Sequence, residues 1–216
     1  TLLKVTPDLN TDYNRNLTRA VLDYIFKNRQ EVRGLGGQIV IGGTEYEPFW
    51  VSEFKRWMND VPELKGRFVY VPNSDARLLK MQAIGADIVV NMPRDLEESC
   101  GTSDKRTGSN GGVNIALKGA GFVEWITDYN EETGRGSGFL FGPYTILTPE
   151  GMVADNVRFY HEAPADILEK LEVASRLFYT ERSKWKKLMH NSYLEANAKV
   201  TATAIETAHH GKDLPA

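Results

Sequence analysis

The chain has 216 residues, 41% hydrophobic and 25% charged, which excludes wholesale disorder and leaves enough apolar side chains for an ordinary core. A net charge of −3 with no long basic run argues against nucleic acid as a partner, and no apolar stretch approaches the ~20 residues of a membrane span. The single cysteine, Cys100, rules out an internal disulfide framework and fits a reducing, cytoplasmic setting. The chain opens on Thr1 rather than Met, as a trimmed piece or fragment would.

Residues 2–6 (LLKVT) are a short apolar run stopped by Pro7, a first strand. Capping side chains at 10–12 then precede a helical pattern of Leu17, Val21, Leu22, Ile25 and Phe26. A buried-type strand over 38–41 is closed by Gly42 and Gly43, and the spacing of Phe49, Val51, Phe54 and Trp57 predicts a helix over 48–61. Residues 67–71 again read as strand. Ser74 or Asp75 can cap a helix carrying Leu78, Leu79, Met81 and Ile84, which Gly85 would end. The next strand is 87–91 (DIVVN). A polar, glycine-rich stretch covers 93–112, and two further strands are expected over 113–117 and 139–141. The tail carries no strand signal. Two helices are expected there, over 165–179 with Leu168, Leu171, Ala174 and Leu177 on one face, and over 181–209 with Trp185, Leu188, Met189, Tyr193, Ala196 and Val200.

Continuous apolar strands separated by helix-length segments predict an α/β, doubly wound parallel sheet of Rossmann-like type over 1–160. The C-terminal helices occupy 161–216, the whole forming one domain. Ligands bind such sheets beyond the carboxyl ends of the strands. The segment after DIVVN supplies carboxylates, hydroxyls, small residues and two adjacent cations where a helix should begin. Gly101 and Thr102 would allow a sugar or anion to approach the helix start, and Lys105 and Arg106 could add charge toward a phosphate. From residue types alone, a solvated loop ahead of a capped helix is the simpler reading. Residues 42–45 read as a turn, 72–75 as a helix cap or a nucleoside contact, and 118–121 as a weak ligand-loop signal. His161, His190, His209 and His210 share no metal-ligand spacing, so no metal is expected, and Cys100 has no partner that would make it a nucleophile.

Residues 85–94 (GADIVVNMPR), 98–103 (ESCGTS) and the pair Asn110 and Gly111 resemble the donor-side motif of the α-glucan phosphorylases. That pattern is roughly G-x-D-x-x-x-N-x-P-R, then E-A-S-G-T-S/G-x-M-K, then L-N-G. The core 98–101 (ESCG) also resembles the E-P-C-G motif of bacterial glycogen and starch synthases. Residues 137–141 (SGFLF), followed by a long helix and 185–189 (WKKLM), resemble the glycogen-synthase ending. The resemblance covers about residues 35 to 190, with 98–110 as its specific part. It implies the C-terminal half of a GT-B glycosyltransferase, in which two Rossmann-like domains face each other across a cleft. It implies a nucleotide-sugar donor such as ADP- or UDP-glucose, a glucan acceptor, and an acceptor-side N-terminal domain as partner; without that domain the chain alone would not turn over.

Carried over by position, Glu98 matches the motif glutamate that contacts the transferred glucose, with Glu97 one residue away. Gly101, Thr102 and Ser103 match the loop that faces sugar and phosphate. Such a carboxylate can accept hydrogen bonds from sugar hydroxyls and favour positive charge developing at the anomeric carbon. Two positions depart from the pattern. Arg106 stands where the phosphorylases carry the lysine that forms a Schiff base with pyridoxal phosphate, with Lys105 one residue early. Arginine stays protonated, so pyridoxal phosphate is not expected and no cofactor is assigned. In the first strand-to-helix turn Asp8, Leu9 and Asn14 replace basic residues, and only Arg15 survives. Phosphate stabilisation would fall to Arg15, Lys105 and Arg106. The alternatives left open are a phosphorylase half using inorganic phosphate, and a non-catalytic glucan- or nucleotide-binding module.

Overall fold

The computed structural model describes residues 2–6, 38–42, 48–60, 62, 65–66, 68–71, 74–91, 103–118, 121–142 and 149–210. The expected helix around 17–26, and the turn that precedes it, lie outside them.

Six strands, β1 (Leu2–Thr6), β2 (Gln38–Gly42), β3 (Phe68–Val71), β4 (Ile88–Asn91), β5 (Val113–Leu117) and β6 (Phe139–Phe141), form one sheet in the order β3-β2-β1-β4-β5-β6. Every neighbouring pair is parallel. This is the doubly wound strand order, and the direction of winding reverses between β1 and β4. The register there pairs Thr6 with Asn91, and across the next ladder Asn91 with Ala116. The carboxyl ends of β1, β4 and β5 therefore lie side by side. β4 and β5 are buried at every position, as strands covered on both faces must be.

Helix α1 (Pro48–Asp60) places Phe54, fully buried, against Phe68 and Tyr70 of β3 at ring-centroid distances of 6.4 and 4.7 Å. Helix α2 (Ala76–Gly85) starts at Asp75, whose side chain accepts from the Leu78 amide at 2.7 Å, and its last residue is Gly85. Its inner face is Gln82 and Ala83, while Met81 and Ile84 are exposed. α3 (Ser103–Gly108) is a short helix after β4. Helices α4 (Pro149–Tyr179) and α5 (Arg182–His210) close the chain. The sequence pattern starts the first of these at 165; α4 instead begins 16 residues earlier, at Pro149, and continues through Pro164.

Two packed groups hold the layers together. The larger joins Ile39, Ile41, Phe54, Val90, Ile115 and Phe139 to Ile167, Leu171, Ala174 and Leu177 of α4 and Trp185 and Leu188 of α5. The smaller joins Phe122, Trp125, Ile126 and Leu140 to Ala196, also on α5. α5 thus reaches both groups. Among its expected apolar stripe, Trp185, Leu188 and Ala196 are buried, but Tyr193 is exposed, and the neighbouring Ser192 is buried instead.

Candidate functional site

Among the described residues, the region beyond β4 and β5 is organised by hydrogen-bonded polar side chains set into apolar strands. Asn91 ends β4 and Asn114 lies in β5, both fully buried. A buried carboxamide needs partners for its donors and acceptor. Asn91 Nδ2 donates to Asn114 Oδ1 at 2.8 Å, and Asn114 Nδ2 donates to the Asp104 carbonyl at 3.1 Å. Ser103 Oγ donates to Asn91 Oδ1 at 3.0 Å. The chain of bonds runs from the first residue of α3 through β4 and β5 to the carbonyl of its second residue.

The second tie is a side chain of α3 itself. Asp104 is 1% exposed, and its Oδ2 accepts from the Trp125 indole at 2.8 Å, whereas Oδ1 has no hydrogen-bond partner. Burial pushes the Asp104 carboxyl up from its ordinary value, against the opposing pull of the Trp125 hydrogen bond, the nearby amides of Lys105 and Asp104, and the Lys105 charge. Those amides favour the charged form by proximity without a hydrogen-bond geometry to Oδ1. Lys105 is half-buried and also lies within electrostatic reach of Glu124. Glu124 is held below the usual carboxylate range mainly by Lys199 of α5, whose ammonium lies 2.8 Å away. Arg106 is exposed; its backbone carbonyl accepts from Asn110 Nδ2 at 2.7 Å. The far end of α3 packs tightly: a Cβ on Gly108 would stand 2.8 Å from the Ala196 Cβ and 2.9 Å from the Trp125 ring.

The buried Asp104 has a consequence for stability. Its raised folded value means that its contribution is fully present below the ordinary carboxylate range and is lost as pH rises through the folded value. Asp104→Asn cannot ionise and still offers an oxygen to the indole. Its stability relative to wild type is expected to grow as pH rises from about 4, the ordinary aspartate value, through the raised folded value, and to level off above it. Urea midpoints across that window check this; a wild type that gains on the variant as pH rises would contradict it.

Of the residues singled out in the sequence, Ser103, Lys105 and Arg106 all lie at the start of α3, the first two half-buried and Arg106 exposed. Arg15, Glu98, Gly101 and Thr102 lie outside the described residues. The pattern reading passed over Asn91, Asp104, Asn114 and Trp125. For the two asparagines a signal was present: Asn114 interrupts and Asn91 ends an otherwise apolar strand, and a polar residue in a doubly covered strand has to be bonded. The described residues gather no group of three or more His, Cys, Asp or Glu side chains fit to hold a metal, and contain no helix long and apolar enough to cross a membrane.

Comparison of the whole fold with solved structures gives the catalytic domain of starch synthase IV from Arabidopsis thaliana, bound to ADP and acarbose, at a TM-score of 0.60 and 18% identity; the match covers 89% of this chain and 34% of that one. Anabaena HepE in complex with UDP and glucose matches at a TM-score of 0.59 and 11% identity, over 98% of this chain and 48% of that one. The fold is shared with the matched part of each of these structures. Within that fold, sequence similarity points the same way. The chain is 26% identical over 152 residues to a glycogen phosphorylase of Mycobacterium tuberculosis, and 32% identical over 126 residues to a glycogen synthase of Chlorobium phaeovibrioides. These matches cover 68% and 58% of this chain, but the chain spans only 16% and 24% of those relatives. No family model matches.

Proposed function

We propose that this chain is the donor-binding half of a retaining glycosyltransferase of α-glucan metabolism, taking glucose from a nucleotide sugar. One observation carries the reading. The segment whose sequence resembles the glycogen-synthase and phosphorylase donor motif leads into α3 beside the point where the winding of the sheet reverses, where ligands of doubly wound sheets bind. In this reading Gly101, Thr102 and Ser103 face the sugar and phosphate, and Arg15, Lys105 and Arg106 supply positive charge. Glu98 is the carboxylate that contacts the transferred glucose and stabilises charge developing at its anomeric carbon. An acceptor-side domain closes the other wall of the cleft. A cytoplasmic location fits the single cysteine. The starch synthase and HepE structures, which hold ADP with acarbose and UDP with glucose, support a nucleotide-sugar donor.

Similarity to the phosphorylases favours a second reading, phosphorolysis with pyridoxal phosphate, and the residues of α3 weigh against it. Arg106, at the position of the Schiff-base lysine, is exposed and cannot lose its proton near neutral pH. Lys105 lies about 100° around the helix from it and faces Asp104 and Glu124. Two measurements on the full-length protein separate the readings. Calorimetry with ADP-, UDP- and GDP-glucose is expected to show binding of at least one at millimolar ligand. Borohydride reduction after incubation with pyridoxal phosphate is expected to leave Lys105 unlabelled. Stoichiometric labelling of Lys105 would make phosphorolysis the leading function. No binding of any donor would favour a non-catalytic module.

A further inference from the structure

The bonds around Asn114 fix something that the strand does not need for itself. Asn114 is fully buried in a strand whose other residues are Val113, Ile115, Ala116 and Leu117, where an aliphatic side chain would complete the packing. Its carboxamide instead bridges two other elements, accepting from Asn91 at the end of β4 and donating to the carbonyl of Asp104 in the first turn of α3. Asn91 then accepts from Ser103, so the circuit returns to the residue adjacent to the one where it began. We propose that Asn114 is a positioning residue for the donor site: by holding the first turn of α3 against β4 and β5, it sets where Ser103 and Lys105 stand. The consequence for donor binding rests on the donor-side function proposed above; the placement of α3 does not.

Three features support the assignment. A carboxamide offers a donor and an acceptor on one short planar group with no net charge at any pH, whereas an aspartate reproduces both bonds only when protonated. The held carbonyl belongs to α3, which is six residues long, so the helix has few bonds of its own to fix its position. Of the other side-chain ties described for α3, Ser103 to Asn91 reaches β4 and Asp104 to Trp125 reaches the turn after β5, so the bond from Asn114 is the one that joins the first turn of α3 to β5 itself.

The test uses the full-length protein with two substitutions. Asn114→Val keeps a strand-compatible, buried side chain and removes both bonds. Asn114→Asp keeps the acceptor for Asn91, but when ionised it sets an oxygen against the Asp104 carbonyl; when protonated it can donate there. The charged groups facing this point are Asp104 and Lys105 on α3, with Glu124 and Lys199 beyond Lys105. Wild type is therefore followed over the same pH range as a control for Asp104. Amide exchange of residues 104–109 is expected to quicken at least about tenfold in Asn114→Val while that of 113–117 is retained, and the affinity for the nucleotide sugar that wild type binds should fall by about tenfold. In Asn114→Asp both losses should deepen as pH rises and recover toward acid, against the wild-type profile. Affinity within twofold of wild type at every pH, with unchanged exchange in α3, would overturn the proposal. Should wild type bind none of the three donors, the donor reading fails and exchange in α3 decides the positioning role by itself: quickened exchange supports it, and unchanged exchange overturns it. If Asn114→Val does not fold, Asn114→Asp compared between acid and neutral pH gives the same decision.

Discussion

Trp185→Ala is expected to cost about 3–5 kcal/mol of folding free energy, the range for emptying a fully buried aromatic site. Trp185 is fully buried and stands edge-on to Phe178 of α4, with ring centroids 5.4 Å apart and an interplanar angle of 77°. It is where α5 enters the larger packed group, so the loss falls on the joint between α4, α5 and the sheet. The group it enters includes residues of β4, β5 and β6, strands that are buried throughout, so the site cannot collapse easily. Trp185→Phe separates the packing from the indole. The Nε1 group is buried without a hydrogen-bond partner, a condition that itself costs about 1–3 kcal/mol. Phenylalanine gives up ring volume but relieves that group, so its net cost should stay below about 1.5 kcal/mol. Urea unfolding of both variants decides this. A cost under about 1 kcal/mol for Trp185→Ala would mean that α5 does not depend on this seat.

The same helix shows what the sequence could and could not say. Trp185, Leu188 and Ala196 were legible as a buried stripe, since their spacing keeps them on one side of a 3.6-residue helix. Tyr193 was drawn into the stripe by its apolar ring, but it stands about 80° around the axis from Trp185. Ser192, about 20° from that line, is buried instead and donates to the Gly112 carbonyl at 2.8 Å. Residue polarity misled there because a hydroxyl that finds a carbonyl can occupy an inner position at little cost. The strands were readable almost to the residue, because β2 and β4 centre on apolar runs bounded by glycine or polar residues and β5 is apolar apart from Asn114. The start of α4 was not, since the apolar face that marked this helix begins only at Leu168, while the helix itself begins at Pro149. At the candidate site, Ser103 and Lys105 could be placed from the Gly-Thr-Ser pattern and the helix expected after a strand. Their supports could not. Asn91 and Asn114 are 23 residues apart, and their meeting depends on the parallel register of β4 with β5. Trp125 reaches Asp104 across 21 residues from a turn with no periodic signal.

Gly136→Ala should be at least as damaging as the loss of Trp185, and for a different physical reason. Gly136 has φ +144°, a region closed to side-chain-bearing residues by their own Cβ. A Cβ added there would stand 2.5 Å from Tyr129 Cα, 2.9 Å from the Tyr129 amide nitrogen and 3.1 Å from the Asp128 carbonyl carbon. All three are backbone atoms, so no rotamer change relieves the contact. The surrounding chain is also pinned. The Tyr129 amide donates to the Gly138 carbonyl at 2.8 Å, the Asn130 amide donates to the Arg135 carbonyl at 2.8 Å, and Asn191 of α5 donates to the carbonyl of Gly136 itself at 2.8 Å. Next to it, Ser137 Oγ donates to Glu195 at 2.6 Å. Backbone strain of about 1–3 kcal/mol and overpacking of about 1–3 kcal/mol therefore combine, for an expected cost of about 3–5 kcal/mol. Gly134 supplies the control in the same turn. It too has a positive φ, +63°, but an added Cβ would meet nothing within 4 Å. Gly134→Ala should cost only the left-handed conformation, about 1–2 kcal/mol. Thermal unfolding of the two variants side by side tests the contrast, and equal costs would show that the approach of residue 136 to Tyr129 is not what holds this turn against α5.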